Sequence, residues 1–159
     1  MMRVGLGYDC HPLVPGRKLV LGGVAIPFDK GLSGYSDADV AVHAIIDALC
    51  GAADLGDIGT HFPSGDPRYK DISSLILLGK IGEMVNKKGF AIANIDVTIV
   101  AQSPRLSPFF AEMKKQISRS LNIKPTQVAV KATTTDGVGS IGRGEGIAAQ
   151  SVALVQEKG

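Results

Sequence analysis

The sequence predicts an α/β fold, an α+β sandwich with helices packed on one face of a mixed β-sheet. Three observations point there. Apolar residues recur at three- and four-residue spacing in separate segments, as in amphipathic helices. Between those segments stand short runs such as Ile95, Val97 and Ile99, which alternate as strand residues do, and strands interleaved with helices bury their apolar sides against one another. The chain has 159 residues, 45% of them hydrophobic, and no Pro/Gly/Ser-rich linker divides it. One well-cored domain over residues 1–159 is therefore expected.

The elements follow in order. Arg3 to Asp9 has the pattern of a strand opening the chain, and Lys18 to Val20 belongs to a small hairpin closed at Gly22-Gly23. From about Ala38 to Ala53, Val40, Ala41, Ala44, Ile45, Ala48, Leu49 and Ala52 mark a helix whose start Ser36, Asp37 and Asp39 are available to cap. The stretch GDIGTHFPSGDP that follows, with two prolines and three glycines, has the composition of a loop. A second helix is predicted from about Ile72 to Lys88, stopping at Gly89. After the strand around Ile95 to Ile99, Ser107-Pro108 starts a helix that turns Phe109, Met113, Ile117 and Leu121 inward. Val128 to Thr135 and Ile147 to Gln156 supply the last two strands.

Charge excludes some partners. Seventeen Lys and Arg against fifteen Asp and Glu leave a net charge of +2, and the longest basic runs are the pairs Lys87-Lys88 and Lys114-Lys115. Binding to nucleic acid or membrane through bulk charge is not expected. Met1-Met2-Arg3 is followed by Gly, Tyr, Asp and His where a signal peptide needs an unbroken apolar run, so a cytoplasmic protein is expected. Cys10 and Cys50 are too few for a disulfide framework and are expected to be thiols.

The hexapeptide GYDCHP, residues 7 to 12, sets three potential metal ligands side by side. Alternation along a strand projects Asp9 and His11 to one face and Cys10 to the other, where the core is expected to receive it. A catalytic divalent metal takes three protein ligands and keeps an open position, and His43, on a helix wall, is the best third candidate. Asp39 and Asp47, one turn away on either side, are expected to orient its second nitrogen. His61 is a rival, though a Gly/Pro loop would hold it poorly. The same residues could form only a hydrogen-bonded strand end and a surface ion-pair ladder, so spacing alone leaves the site open.

Two further stretches carry polar groups suited to phosphate. KATTTDGVGSIGRGEGIA, residues 131 to 148, joins three threonines and an acid at a strand end to a glycine-rich turn around Arg143. Hydroxyls, free backbone amides and an Arg are what an anion site uses, although β-branched residues before a loose hairpin would give the same pattern. In GYSDADVAVH, Ser36 at a helix N-terminus would add a hydroxyl and the helix dipole.

Four blocks, GYDCHPL, SDADVAVHAIIDALCGAADLGDIG, DVTIVAQSPRL and KATTTDGVGSIGRGEGIA, closely resemble in order and spacing the 2-C-methyl-D-erythritol 2,4-cyclodiphosphate synthases of non-mevalonate isoprenoid biosynthesis. The resemblance covers essentially the whole chain. It implies zinc held by Asp9, His11 and His43, and a magnesium or manganese ion bridging the α- and β-phosphates of the substrate, 4-diphosphocytidyl-2-C-methyl-D-erythritol 2-phosphate. An oxygen of the 2-phosphate attacks the β-phosphorus and CMP leaves, a lyase reaction in which anion meets anion and charge neutralisation dominates. It further implies that Asp57 and Gly59 contact the ribose, that Ala101 to Leu106 with Arg105 form the cytosine pocket, and that Thr133, Thr134 and Ser36 meet phosphates. Arg143 joins the substrate contacts, and the assembly is a homotrimer with active sites between subunits.

Four positions depart from the family pattern. Asp136 stands where a Glu usually holds the second metal, and its shorter stem favours coordination through water. Ser64 stands where an Asp commonly holds the methylerythritol hydroxyls, with Asp66 nearby; Tyr35 stands where His is frequent, and Arg105 where Lys is common. Two other functions fit the same residues: a metal-dependent nucleotide-diphosphate hydrolase, in which water reaches phosphorus first, and a non-catalytic trimer that binds a nucleotide or an isoprenoid diphosphate.

Overall fold

The computed structural model describes residues 1–159. Seven strands and five helices follow in the order β1 (Met2–Pro15), β2 (Leu19–Leu21), β3 (Val24–Ile26), β4 (Lys30–Leu32), α1 (Val40–Ala53), α2 (Ile58–His61), α3 (Ser74–Lys87), β5 (Phe90–Val100), α4 (Phe110–Leu121), β6 (Val128–Thr133), α5 (Gly139–Gly142) and β7 (Gly146–Glu157). Five strands form one sheet in the order β4-β1-β7-β5-β6, and β2 and β3 form a separate hairpin. The sheet is mixed: β5 and β6 run parallel, every other neighbour antiparallel. The predicted mixed α/β architecture is present.

Helix α1 occupies the centre. Eleven of its fourteen residues are buried, which a helix covered on more than one side requires, and its neighbours are β1, β7 and β5 below and α3 beside it. Its approach to β1 rests on Gly5 and Gly7. A Cβ on Gly5 would lie 1.9 Å from the Ala48 carbonyl oxygen, and one on Gly7 would lie 1.9 Å from that of Ala44. Only glycine lets the helix backbone meet the strand so closely. The same face of β1 continues into Asp9 and His11, so this contact also sets the height of His43 above them. Asp39 fixes the start of α1. Fully buried, it accepts hydrogen bonds from the amides of Val42, Gly22 and Gly23 and thereby ties the hairpin turn to the helix.

Differences from expectation have local causes. β1 runs six residues beyond the predicted strand because Cys10 to Pro12 continue the pairing with β7, and β4, which no pattern marked, pairs with Leu13 to Pro15. Part of the Gly/Pro stretch folds into α2, started by the Asp57 side chain, and the glycine-rich turn after the threonines holds the one-turn helix α5 rather than a loose hairpin. The last two strands are not neighbours, since β5 stands between β6 and β7. Cys10 is not in the core. It does face away from Asp9 and His11, but the outer side of β1 has no second layer within the chain, and Cys10 is exposed there with Val4, Leu6 and Tyr8.

Candidate active site

Asp9, His11 and His43 converge at the end of α1. Their donor atoms all lie within 4.8 Å of one another, and His11 Nε2 and His43 Nδ1 each stand 3.0 Å from Asp9 Oδ2. His11 Nδ1 lies 2.8 Å from the Ser33 carbonyl oxygen, which can only accept, so Nδ1 carries a proton and, in the neutral ring, Nε2 is the nitrogen left with a lone pair on the Asp9 side. His43 turns Nδ1 to Asp9 and Nε2 to two hydroxyls, Ser74 Oγ at 2.9 Å and Ser36 Oγ at 3.2 Å. Burial pushes the Asp9 carboxyl up, but the two imidazoles facing it, in their protonated forms, outweigh that and hold the group well below the usual carboxylate range. His11 is raised in turn, chiefly by its bond to Asp9. Two imidazole nitrogens and one carboxylate oxygen form a donor set suited to a divalent transition metal with a position left open.

Neither acid expected to orient His43 does so. Asp39 is taken up by the amides that start α1, and Asp47 Oδ1 accepts from the Ile58 amide at 2.8 Å. Helical spacing puts both on the turn next to His43, yet free backbone donors nearby claim them first. Ser36 is not at the N-terminus of α1 either; Asp39 is, and Ser36, three residues before Asp39, accepts from the Ala38 amide. The rival His61 bonds the Leu55 carbonyl, outside the cluster.

A cleft of about 220 Å³ opens over the triad, lined also by Tyr35, Ser36, Gly59, Ser64 and Phe62. Asp57 lies just outside it and accepts from the Thr60 amide and hydroxyl, both on Oδ1, which leaves Oδ2 free of those bonds. Asp66 is held by Arg68. A second cleft, of about 380 Å³, gathers Ala101, Arg105, Leu106, Thr133 and Thr134. There the Ala101 amide bonds the Thr133 carbonyl, and Gln102 Oε1 accepts from the Gly137 amide. Thr133, Thr134 and Asp136 are exposed. Asp136, at φ +51°, has its Oδ1 on the Thr134 hydroxyl. Arg143 pairs with Glu145 at 3.0 Å and lines neither cleft.

Sheet register relates the two clefts. Asp9 pairs with Ala149, Ala149 with Ile99, and Ile99 with Ala132. Thr133 and Thr134 therefore stand at the same end of the sheet as the triad, three strands away, roughly 14 Å at 4.8 Å per strand. One metal ion cannot contact both. Ser74 is the neighbour that sequence reasoning missed: thirty-one residues from His43, it carries no local sign of that contact beyond its place at a helix start.

Fold and donor set together define an α/β protein with a three-residue cluster that could hold a metal ion, open on its cleft side. The sequence model described as the YgbB family matches residues 2–156, and the chain belongs to that family. Among curated relatives, 2-C-methyl-D-erythritol 2,4-cyclodiphosphate synthase of Pelotomaculum thermopropionicum is 61% identical over 99% of this chain and 98% of its own, and that of Moorella thermoacetica 57% over 99% and 96%. Among solved structures, the Plasmodium falciparum IspF CDP complex aligns with a TM-score of 0.87 at 34% identity, covering 99% of this chain and 97% of that one. The bifunctional IspDF of Campylobacter jejuni gives 0.95 at 39% identity over 99% of this chain, which spans 42% of that longer protein.

Proposed function

We propose that this chain cyclises 4-diphosphocytidyl-2-C-methyl-D-erythritol 2-phosphate to the 2,4-cyclodiphosphate with release of CMP, in isoprenoid biosynthesis, and does so at a site shared between two copies. It is an enzyme of the lyase class, as its curated relatives are named. The reading rests on one observation above the rest: the triad and the Thr133-Thr134 ledge lie at the same sheet end yet in separate clefts. Head-to-tail packing around a threefold axis, a homotrimer, would bring one copy's triad to the next copy's ledge. The CDP complex of the Plasmodium falciparum relative supports a cytidine diphosphate moiety in the substrate.

In the reaction a 2-phosphate oxygen forms a bond to the β-phosphorus while the bond from that phosphorus to the bridging oxygen breaks, so CMP departs with the electron pair. Zinc held by Asp9, His11 and His43 would act as a Lewis acid on the attacked phosphate. Ser36 offers its hydroxyl to the 2-phosphate from the cleft wall, and Gly59 with the free Oδ2 of Asp57 takes the ribose diol. Ser64, on the cleft wall, would meet the methylerythritol end, and Asp66 would have to leave Arg68 to join it. On the neighbouring copy, Ala101 to Leu106 with Arg105 would receive cytosine, Thr133 and Thr134 would bond the diphosphate, and the unpaired Oδ2 of Asp136 would hold magnesium or manganese. Arg143 would have to leave Glu145 to meet a phosphate. No helix is long and apolar enough to cross a membrane, and we place the enzyme in the cytoplasm as one domain over residues 1–159.

Two measurements test this. Phosphorus NMR of the product should show the two coupled signals of a cyclic diphosphate beside CMP; uncoupled phosphates would point to hydrolysis instead. Asp9→Asn and Thr134→Val should each be nearly inactive. Co-expressed in equal amounts with different tags, they should regain activity, because about one quarter of interfaces in random cyclic trimers join two intact halves. Mixed trimers as inactive as their parents would place the site within one copy.

A further inference from the structure

Ser74 and Asp37 form a built connection to the triad that no part of the proposed chemistry uses. Ser74 is fully buried, lines neither cleft, and stands 2.9 Å from His43 Nε2. Its hydroxyl lies closest to Asp37 Oδ1, with Ser36 Oγ much farther at 3.5 Å, while its amide donates to Asp37 Oδ2 at 3.0 Å. Asp37 thus closes the N-terminus of α3 from a distant segment, a place that Ser73 leaves without a side-chain cap. Two backbone bonds hold the segments together: the Asp37 amide to the Ile72 carbonyl and the Asp71 amide to the Tyr35 carbonyl. Ala38, at φ +58° and fully buried, makes the turn that sends Asp37 toward α3 and Asp39 into α1. For a residue with a Cβ that turn is strained, so the surroundings must hold it there.

The consequence follows from counting donors. A carboxylate only accepts, so the Ser74 proton goes to Asp37, and Ser74 Oγ is left to accept from His43. Nε2 of His43 must then carry its proton, and Nδ1 turns a bare lone pair toward Asp9 and the ligand position. Ser36, also near Nε2, does not impose this. Its hydroxyl accepts from the Ala38 amide at 3.2 Å, but its own proton has only the long 3.5 Å contact to Ser74 Oγ, and it lines the cleft, where it can turn to a ligand.

We infer that the Asp37-Ser74 pair is a positioning device for the metal site, locking His43 in the Nε2-protonated tautomer and ring orientation that presents Nδ1 to the cation. This rests on the metal reading of the triad, and the experiment separates the two. The outer partners of a metal-bound His typically change metal affinity by about 10- to 100-fold.

The test uses the full chain in its native assembly, with zinc affinity measured by competition against a chromophoric chelator. Ser74→Ala should bind zinc about 10- to 100-fold more weakly, Ser74→Thr, which keeps the hydroxyl, should recover most of the loss, and Ser36→Ala should stay close to the parent even where turnover falls. In the zinc-loaded parent protein, nitrogen-15 NMR of the imidazoles should show His43 protonated at Nε2 and metal-bound at Nδ1. That measurement needs no variant to fold. Failure of the parent to bind zinc at this cluster would sink the metal reading itself. Zinc bound through Nε2 of His43, or parental affinity in Ser74→Ala, would overturn the positioning role and leave the metal site standing. Equal loss in Ser74→Thr and Ser74→Ala would also count against it, as damage to packing rather than to the hydrogen bond.

Discussion

At the β1 wall, Asp9, His11 and His43 each have a nitrogen or oxygen fixed by a partner inside the same chain, and glycine contacts set their mutual height. At the β6 end, three strands away, Thr133, Thr134 and Asp136 are exposed and bond mostly to one another. The first region is organised before any ligand arrives. The second has hydroxyls and a carboxylate turned toward space that this chain does not fill. Pre-organisation suits a metal centre, whose ligands must converge within a few tenths of an ångström to bind at all. An exposed ledge suits groups completed by another copy and by the substrate.

The largest effect should separate the two regions by metal content. His43→Ala removes one of three ligands and should abolish both bound zinc and turnover, whereas Thr134→Val should lose turnover while keeping zinc near one per chain. Elemental analysis of the purified proteins reads this directly. Full zinc in His43→Ala would break the assignment of the β1 wall.

Stability should separate them next. Gly7→Ala sets a methyl against the backbone of Ala44, which cannot yield as a flexible side chain would, and should cost about 3 kcal/mol by forcing α1 off the sheet. Gly137→Ala, beside the ledge, has no atom within 4 Å of the new methyl and a φ of +77°, so it bears only backbone strain, about 1 kcal/mol. Chemical denaturation midpoints measure both. Comparable losses would mean the ledge is packed as tightly as the wall.

A smaller effect concerns the ledge alone. Asp136→Asn removes one charge from an exposed side chain whose Oδ1 bonds Thr134, and should raise the magnesium needed for half-maximal turnover while zinc content stays unchanged. An activity titration against magnesium in both proteins checks it. An unaltered requirement would assign Asp136 to the turn, where its left-handed backbone already favours a short polar residue.

How far the sequence reveals this division depends on the range of each interaction. The spacing of apolar residues locates α1 and α3 to within two residues, because burial of a helix face is written in every turn. Alternation places Asp9 and His11 on one side of β1, and GYDCHP with His43 was enough to nominate the triad. What escaped depends on contacts without local pattern. β4 is three residues long and forms only because β1 offers an edge, and Ser74 reaches His43 through the packing of α3 on α1. Asp39 and Asp47 serve backbone amides instead of His43, because periodicity shows who is near, not which of several donors a carboxylate meets. Cys10 is exposed rather than in the core, because alternation gives the side of a strand but not whether anything covers that side.

That last residue gives the smallest expected effect. Asp9 and Cys10 are consecutive, yet one belongs to the metal wall and the other to the opposite face, where its thiol is exposed and touches none of the triad's partners. Cys10→Ala removes no ligand, leaves no buried cavity and frees no buried polar group, the routes by which substitutions become costly. Stability should move by no more than about 0.5 kcal/mol and zinc affinity not at all. Cys50, by contrast, is buried in α1, where burial pushes its thiol up to about 12, so it should resist alkylation in the folded protein at neutral pH. Chelator competition on Cys10→Ala, with alkylation followed by mass spectrometry to watch Cys50, examines both faces in one preparation. Loss of zinc would show that the thiol joins the ligand set, which the alternation of β1 forbids; rapid alkylation of Cys50 would show that α1 lies less firmly on the sheet than the glycine contacts require.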